Sequence, residues 1–384
     1  MYHLSPSLFT QNEDAPLVFV AFELSKAKWK LMISHDSQSK HLTIDALRAE
    51  DWPRLVELMR RPLKQLGVTR PARVFSCYEA GRDGFWLHEA LSSLDWVNLV
   101  LDSSSIEVNR KYRRAKNDAL DVRSLCRTLQ RYHGGESDAV SVVRVPDRES
   151  DDLRRLTRER DALKTEETKH RNRIRSLLIT RGIDLSINRD FLEILPTARE
   201  WDGNHLPAHL LSEIRRQFVR LRMVWTQLQT LETEMAVFAR DDESTAGKMI
   251  QALTAVRGIG LVSAFLLVTE LFGWRKFENR RQLAGLVGLT PTPYDSGGMR
   301  REQGISKAGR SRIRALLIQI SWLWLRYQPE SKLTLWFQTR YTKNGKRHRR
   351  VGIVAVARKL LIALWRYVEQ RVHPPTMAAA SPST

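Results

Sequence analysis

Three strand-like runs open the chain before any helical pattern does: LVFVAFEL at Leu17 to Leu24, KWKLMIS at Lys28 to Ser34, and HLTID at His41 to Asp45. The turns between them are too short for a parallel crossover, so they predict an antiparallel meander. A helical pattern, WPRLVELMRRPLKQL, follows, then an apolar strand, ARVFSCYEA, a helix, GFWLHEALSSL, a strand, VNLVLD, and a helix from about Asn117 to Tyr132. The order βββαβαβα predicts an α/β domain over residues 15–140. Its mixed sheet would be covered by helices, as in ribonuclease H-like nucleases.

Beyond it the pattern turns helical. DRESDDLRRLTRERDALKTEETKHRNRIRSLL and LPAHLLSEIRRQFVRLRMVWTQLQTLETEMAVFA carry apolar positions at helical spacing among many charges. They predict an antiparallel or intermolecular coiled coil over 146–245, a spacer or dimerisation element. Residues 246–370 read as a compact, mainly helical domain interrupted by a Gly/Pro-rich segment, LTPTPYDSGGMRREQGISKAG. The tail 371–384, HPPTMAAASPST with its neighbours, reads as disordered.

Charge narrows the function. The chain of 384 residues carries a formal charge of +20. An excess of that size usually meets a polyanion, and nucleic acid is the first candidate. A hydrophobic content of 42% excludes a disordered basic tail. Up to Val100 twelve basic residues balance twelve acidic ones, whereas Pro291 to Arg350 holds fourteen basic residues against three acidic, a surplus of +11. The main electrostatic footprint is therefore C-terminal. Only two cysteines occur, Cys77 and Cys126, with no CxxC or Cys/His cluster. That usage fits a reducing cytoplasm, and the absence of a signal-like start or a bilayer-length apolar run predicts neither secretion nor membrane insertion.

Four carboxylates carry the first chemical hypothesis. Glu23 interrupts the apolar run of the first strand, where a buried charge needs a partner or a metal. Glu79 ends the fourth strand, and Asp118 and Asp121 share one helix face at i, i+3 spacing. The C-terminal edge of such a sheet is where α/β folds place their sites. Hard oxygen ligands there suit Mg²⁺ and phosphoryl transfer. Asp102 and Glu107 are reserve candidates. The preceding run Arg110, Lys111, Arg113, Arg114 and Lys116 is either a solvated face or a phosphate contact.

The second hypothesis concerns a serine. In LTAVRGIGLVSAFLLVTEL, Gly258 and Gly260 mark either a hairpin whose amides meet phosphate or a plain turn between helices. Further on, Ser296 precedes Gly297 and Gly298 and is followed by Arg300, Arg301, Lys307, Arg310 and Arg312. Glycines let backbone approach a phosphate, and cations stabilise the charge that builds when a hydroxyl attacks phosphorus. A second cationic group, Lys343, Lys346, Arg347, Arg349 and Arg350, completes the expected nucleic-acid surface together with Arg113, Arg114 and Lys116.

The segments AFELSKAKWKL, YEAGRDGFW, KNDALDVRSL, RGIGLVSAFLLVTELFGWRKFENRRQLAGLVGLTP, DSGGMRREQGISKAGRSRIRALL and VAVARKLLIALW, in that order, resemble the insertion-sequence one-ten transposase family, including its eleven-eleven branch. The resemblance runs from about Leu17 to Val368. It implies a RuvC-like DEDD domain binding Mg²⁺, a coiled-coil linker, and a C-terminal transposase domain with a nucleophilic serine. Glu79, Asp118, Asp121 and Ser296 match its motifs. It further implies strand exchange on donor and target DNA guided by a noncoding bridge RNA, with dimers assembling into a tetramer, in a bacterial, nucleoid-associated setting. Two other readings compete: a metal-dependent Holliday-junction nuclease that uses water, and a nonenzymatic nucleic-acid-binding protein.

One departure stands out. The family's first motif has aspartate where this chain has Glu23 in AFELSK. The extra methylene displaces the carboxylate by about one bond length without removing its capacity to ligate Mg²⁺. Glu23→Asp is therefore expected to retain or raise activity in a transposition assay, and loss of activity would count against the metal-binding assignment.

Overall fold

In the computed structural model, residues 8–48, 51–81, 84–106, 118–296, 299–342 and 345–369 are described. Two units emerge, Met1–Val145 and Pro146–Thr384. In the first, β1 (Leu17–Glu23), β2 (Lys28–His35) and β3 (Gln38–Asp45) form the expected meander. β4 (Arg73–Glu79) and β5 (Val97–Leu101) add to it as parallel strands, giving the order β3-β2-β1-β4-β5. This five-stranded mixed sheet is compatible with the ribonuclease H-like expectation.

Both faces of the sheet are covered, which is why its central strands read as near-continuous apolar runs. Val18, Val20, Phe22, Val74 and Tyr78 point to one side, into a core with Leu55, Met59 and Leu63 of α1 (Pro53–Gln65) and Leu87 and Leu91 of α2 (Trp86–Ser92). The i, i+4 recurrence of the α1 residues produces its buried stripe, and Gly67, at φ 77°, takes the chain out of the helix in a conformation that L side chains disfavour. Ala21, Met32, Cys77 and Leu101 point to the other side, against Val122, Leu125, Cys126 and Leu129 of α3 (Asp118–His133).

In the second unit, Asp147 caps α4 (Arg148–Ile179) by accepting from the Ser150 backbone N–H at 2.7 Å. α4 pairs with α6 (Ala208–Asp241). The cross-pairs Arg160–Glu232, His170–Gln217 and Arg173–Glu213 descend along one helix as they climb the other, so the pair is antiparallel and lies within one chain. Ile214, Phe218, Leu221, Leu228, Leu231 and Met235 form the buried seam of α6. The short α5 (Phe191–Ile194) closes the tip, with Phe191 and Phe218 ring centroids 4.9 Å apart.

The remaining helices gather on a core that includes Phe265, Leu267, Leu283, Leu317, Leu360 and Leu364. They are α7 (Thr245–Thr254), α8 (Leu261–Leu267), α9 (Arg280–Val287), α10 (Ser311–Tyr327), α11 (Lys332–Tyr341) and α12 (Gly345–Glu369). Gly258 and Gly260 lie in a turn between α7 and α8, where Gln328 donates to the Arg257 carbonyl at 3.1 Å. The Gly/Pro-rich interruption is a β-hairpin, β6 (Pro291–Ser296) with β7 (Met299–Ile305). No helix among the described residues is long and apolar enough to cross a membrane. The expected tail lies outside the described residues.

The packing of α3 makes a chemical prediction. Burial pushes the Cys77 thiol well above its usual pKa, helped by neighbouring Cys126, and pushes Cys126 up to about 12. Alkylation proceeds through the thiolate. Iodoacetamide at pH 8 is therefore expected to label neither cysteine in the folded protein and both once urea unfolds this unit. Rapid labelling of the native protein, read by mass spectrometry, would contradict the seating of α3 on the sheet.

Candidate functional site

Glu23 and Glu79 close the adjacent parallel strands β1 and β4, whose register runs through Phe22↔Tyr78. By strand alternation both belong to the face that carries Ala21 and Cys77, which is the face under α3. α3 runs antiparallel to these strands. Its last residue, His133, packs its ring 5.2 Å from Phe19 and 4.4 Å from Phe75 near the strand starts, while midway Cys77 Sγ donates to the Leu125 carbonyl at 3.7 Å. One helical turn back from Leu125, about 6 Å, reaches Asp121, and two residues on from Cys77, about 7 Å, reach Glu79. The start of α3 and the carboxyl ends of β1 and β4 thus lie at the same end of the sheet.

The environments at this edge differ from what the apolar run suggested. Glu23 is the last residue of its strand and half-buried, not an interior charge, while Glu79 and Asp121 are exposed. No group of three or more His, Cys, Asp or Glu side chains among the described residues could hold a metal ion. The Asp118 side chain and all of Glu107 lie outside the described residues. Asp102 caps the turn after β5, accepting from the Ser104 N–H at 2.9 Å and its hydroxyl at 2.8 Å. The donor chemistry at the edge, carboxylate oxygens on one face, suits a hard divalent cation.

The serine lies at the far end of the hairpin. Ser296↔Met299 is the last registered pair of β6 and β7, so only Gly297 and Gly298, outside the described residues, separate the strands. The hairpin's root is clamped to α9. Asn279 caps that helix by accepting from the N–H groups of Arg281 and Gln282, and Gly288 ends it in the left-handed region at φ 71°. A Cβ at Gly288 would meet the Ala308 carbonyl oxygen at 2.0 Å, and one at Gly309 would meet that of Leu286 at 2.2 Å. Backbone hydrogen bonds Ser306 N to Thr290 O, Lys307 N to Gly288 O and Arg310 N to Leu286 O complete the clamp at 2.9, 3.2 and 3.1 Å.

The cations divide into two groups. Arg310 and Arg312 are half-buried and already paired, Arg310 in an ion pair with Glu270 and Arg312 with Asp161 and the Thr157 carbonyl. Lys307, Lys346, Arg347, Arg349 and Arg350 are exposed. Arg300 and Arg301 sit on β7, opposite Asp295 and Tyr294, with side chains outside the described residues. Arg113, Arg114, Lys116 and Lys343 lie outside them altogether.

Sequence reasoning passed over Glu270. Its side chain is 4% exposed and meets Arg154 at 3.5 Å, Arg158 at 3.7 Å and Arg310. It sits in a π-helical turn, Val268–Phe272, which lets Trp274 Nε1 donate to the Thr269 carbonyl at 2.8 Å and Arg275 Nε to that of Glu270 at 3.2 Å. Burial, set against the neighbouring Glu270 charge, holds the Arg310 guanidinium below its usual pKa. The available signal was a lone glutamate in the apolar run AFLLVTELF.

Residues 250–335 match a model described as the transposase IS116/IS110/IS902 family. The chain is 39% identical over 377 residues to the putative transposase y4rJ of Sinorhizobium fredii, covering 94% of this chain and 93% of that relative. It is 32% identical to the putative transposase y4qE of the same organism, over 71% of this chain and 63% of the relative. With the transposase for insertion sequence element IS1328 of Yersinia enterocolitica it shares 29% identity, over 65% and 71%.

Glu270 offers a stability test. Glu270→Gln keeps the volume but takes the Glu270 counter-charge from Arg158 and Arg310 and leaves Arg154 with Asp151, 3.0 Å away. Breaking a buried pair from one side costs about 3–5 kcal/mol. The urea midpoint of this unit is expected to fall accordingly, and a shift worth less than about 1 kcal/mol would show that solvent already screens the cluster.

Proposed function

The chain belongs to the IS116/IS110/IS902 family of insertion-sequence transposases, and on that premise we propose that it exchanges DNA strands through a covalent link at Ser296. What supports this reading above all is the placement of Ser296 at the tip of a hairpin whose root is fixed by Gly288, Gly309 and three backbone hydrogen bonds. A nucleophile on such an arm can reach a phosphodiester while its base transmits no slack.

In the proposed reaction Ser296 Oγ attacks a DNA phosphorus and loses its proton. The P–O3′ bond breaks, the 3′-oxygen leaves as a hydroxyl, and the 5′-phosphate stays on the serine. The 3′-hydroxyl of the exchanged strand then attacks the phosphoserine, and Oγ departs and regains a proton. Each phosphodiester broken is replaced by another, so no nucleotide hydrolysis is needed. Arg300 and Arg301, on the strand returning from the tip, would neutralise charge on the phosphoryl oxygens.

Glu23, Glu79, Asp118 and Asp121 would hold Mg²⁺, which when bound supplies positive charge to the oxygens of the reacting phosphate. The parallel pairing of β1 with β4 and the antiparallel seating of α3, which bring the ends of β1 and β4 and the start of α3 to one end of the sheet, support that assignment. We further propose that the N-terminal unit is RuvC-like and that the α4–α6 pair acts as a coiled-coil linker. Carboxylates and serine from different protomers of a dimer or tetramer would then form composite sites, with a noncoding bridge RNA pairing to donor and target DNA.

The test is to express the chain with its native flanking noncoding DNA and sequence the nucleic acid that copurifies, then assay strand exchange with that material. One discrete RNA mapping beside the gene is expected, and Ser296→Ala is expected to abolish both exchange and the covalent protein–DNA adduct. Cleavage that survives Ser296→Ala would indicate a carboxylate-only nuclease. Heterogeneous nucleic acid would point away from guiding by a dedicated RNA.

A further inference from the structure

The α10–α12 region exposes a tryptophan, Trp322, that strand exchange at Ser296 does not use, while Tyr327 lies about 140° around α10 from it. Trp322 and Tyr327, both on α10, are each 40% exposed. The guanidinium of Arg349, near the start of α12, lies 5.9 Å from the Trp322 ring centroid, and that of Arg326 lies 5.5 Å from Tyr327. Trp322 is not loose. Its ring stands edge-to-face on buried Phe337 of α11, centroids 6.3 Å apart, which fixes its orientation while leaving its outer surface open.

What covers such a face is decided by charge. From Ser311 to Glu369 the sequence holds two acidic residues, Glu330 and Glu369, and the second is twenty residues along α12 from Arg349, about 30 Å away. Lys346, Arg347, Arg349 and Arg350 are all exposed at the start of that helix. A second copy docked here would set cation against cation, so self-association is disfavoured and a polyanion is favoured. Double-stranded DNA satisfies the cations but has no use for the tryptophan, because its base faces are already stacked on one another. An unpaired base offers a free π-face, and aromatic side chains beside cations are how proteins bind single strands.

We propose that this face binds unpaired bases of single-stranded DNA, with a base stacking on Trp322 and the flanking phosphates on Lys346, Arg347 and Arg350. The inference rests on the reading that the basic surface of this unit meets DNA, and assigns to it the melted strand instead of the duplex. Strand exchange requires such a strand to be held while its partner is replaced.

The test measures binding of the full-length chain to a labelled single-stranded DNA oligomer, its duplex and the matching RNA at several salt concentrations. Trp322→Leu, which keeps apolar packing on Phe337 but offers no ring, is expected to weaken single-strand binding by about 5- to 100-fold and duplex binding by less than about twofold. Trp322→Phe should restore most of the loss. Equal losses on single strand and duplex, or no loss on either, would overturn the proposal, and so would tighter, Trp322-dependent binding of RNA. If Trp322→Leu fails to fold, photo-crosslinking of bromouracil-substituted single strand to the wild-type chain decides: a crosslink at Trp322 supports stacking, and none on α10–α12 excludes it. The double variant K346A/R350A reports separately on the basic surface. It should weaken both DNAs and flatten the salt dependence, and if it does neither while Trp322→Leu stays selective, the basic-surface reading fails and the stacking site stands.

Discussion

A carboxylate removed almost wholly from water costs several kcal/mol unless opposite charge reaches it. Glu270 therefore obliges Arg154, Arg158 and Arg310 to converge, across 116 residues of sequence on one side and 40 on the other. Those partners belong to the start of α4 and the segment entering α10, while Glu270 itself sits in the π-helical turn. Buried Glu270 thus ties the long helical pair to the root of the serine hairpin. The change of sequence pattern near residue 245 marks where the surfaces change character, yet the first turns of α4 share an electrostatic core with helices beyond it.

That tie bears on how a β-hairpin composed mainly of polar residues, glycines and prolines holds its position. β6 and β7 carry prolines, glycines and charges, and Ile305, at the root end of β7, packs on the helical core. An isolated hairpin of this kind is marginal in water. Its stability comes from the root, where Gly288 and Gly309 admit backbone contacts that any side chain would block, and where Arg310 is held by Glu270 and Arg314 donates to the Val287 carbonyl at 2.9 Å.

How much of this the sequence revealed depends on what each element buries. β1, β4 and β5 were legible because both their faces are covered, leaving continuous apolar runs between turn residues. The existence of α3, expected from about Asn117 to Tyr132, followed from its periodicity. The hairpin was not legible, because its two strands carry no alternating apolar pattern. Gly297 and Gly298 between two short polar runs were the available hint. The rule that a lone carboxylate in an apolar run must be partnered was sound but was applied to Glu23, which ends its strand half-exposed, and not to Glu270, where burial is nearly complete. A run's length beyond the charge separates the two. Only Leu24 follows Glu23 before polar residues begin, whereas Glu270 has apolar neighbours on both sides in LLVTELF.

The same distinction governs the basic surplus. Counting cations between Pro291 and Arg350 treats each as a potential phosphate contact, but a guanidinium already paired at low exposure must break that pair before it can bind anything else. Arg310, Arg312 and Arg314 are engaged by Glu270, Asp161 and backbone carbonyls near the hairpin root. The exposed cations at the start of α12 have few carboxylates nearby in sequence to compete for them. Exposed cations thus gather at the start of α12, and the paired arginines at the root serve to hold the arm that carries Ser296.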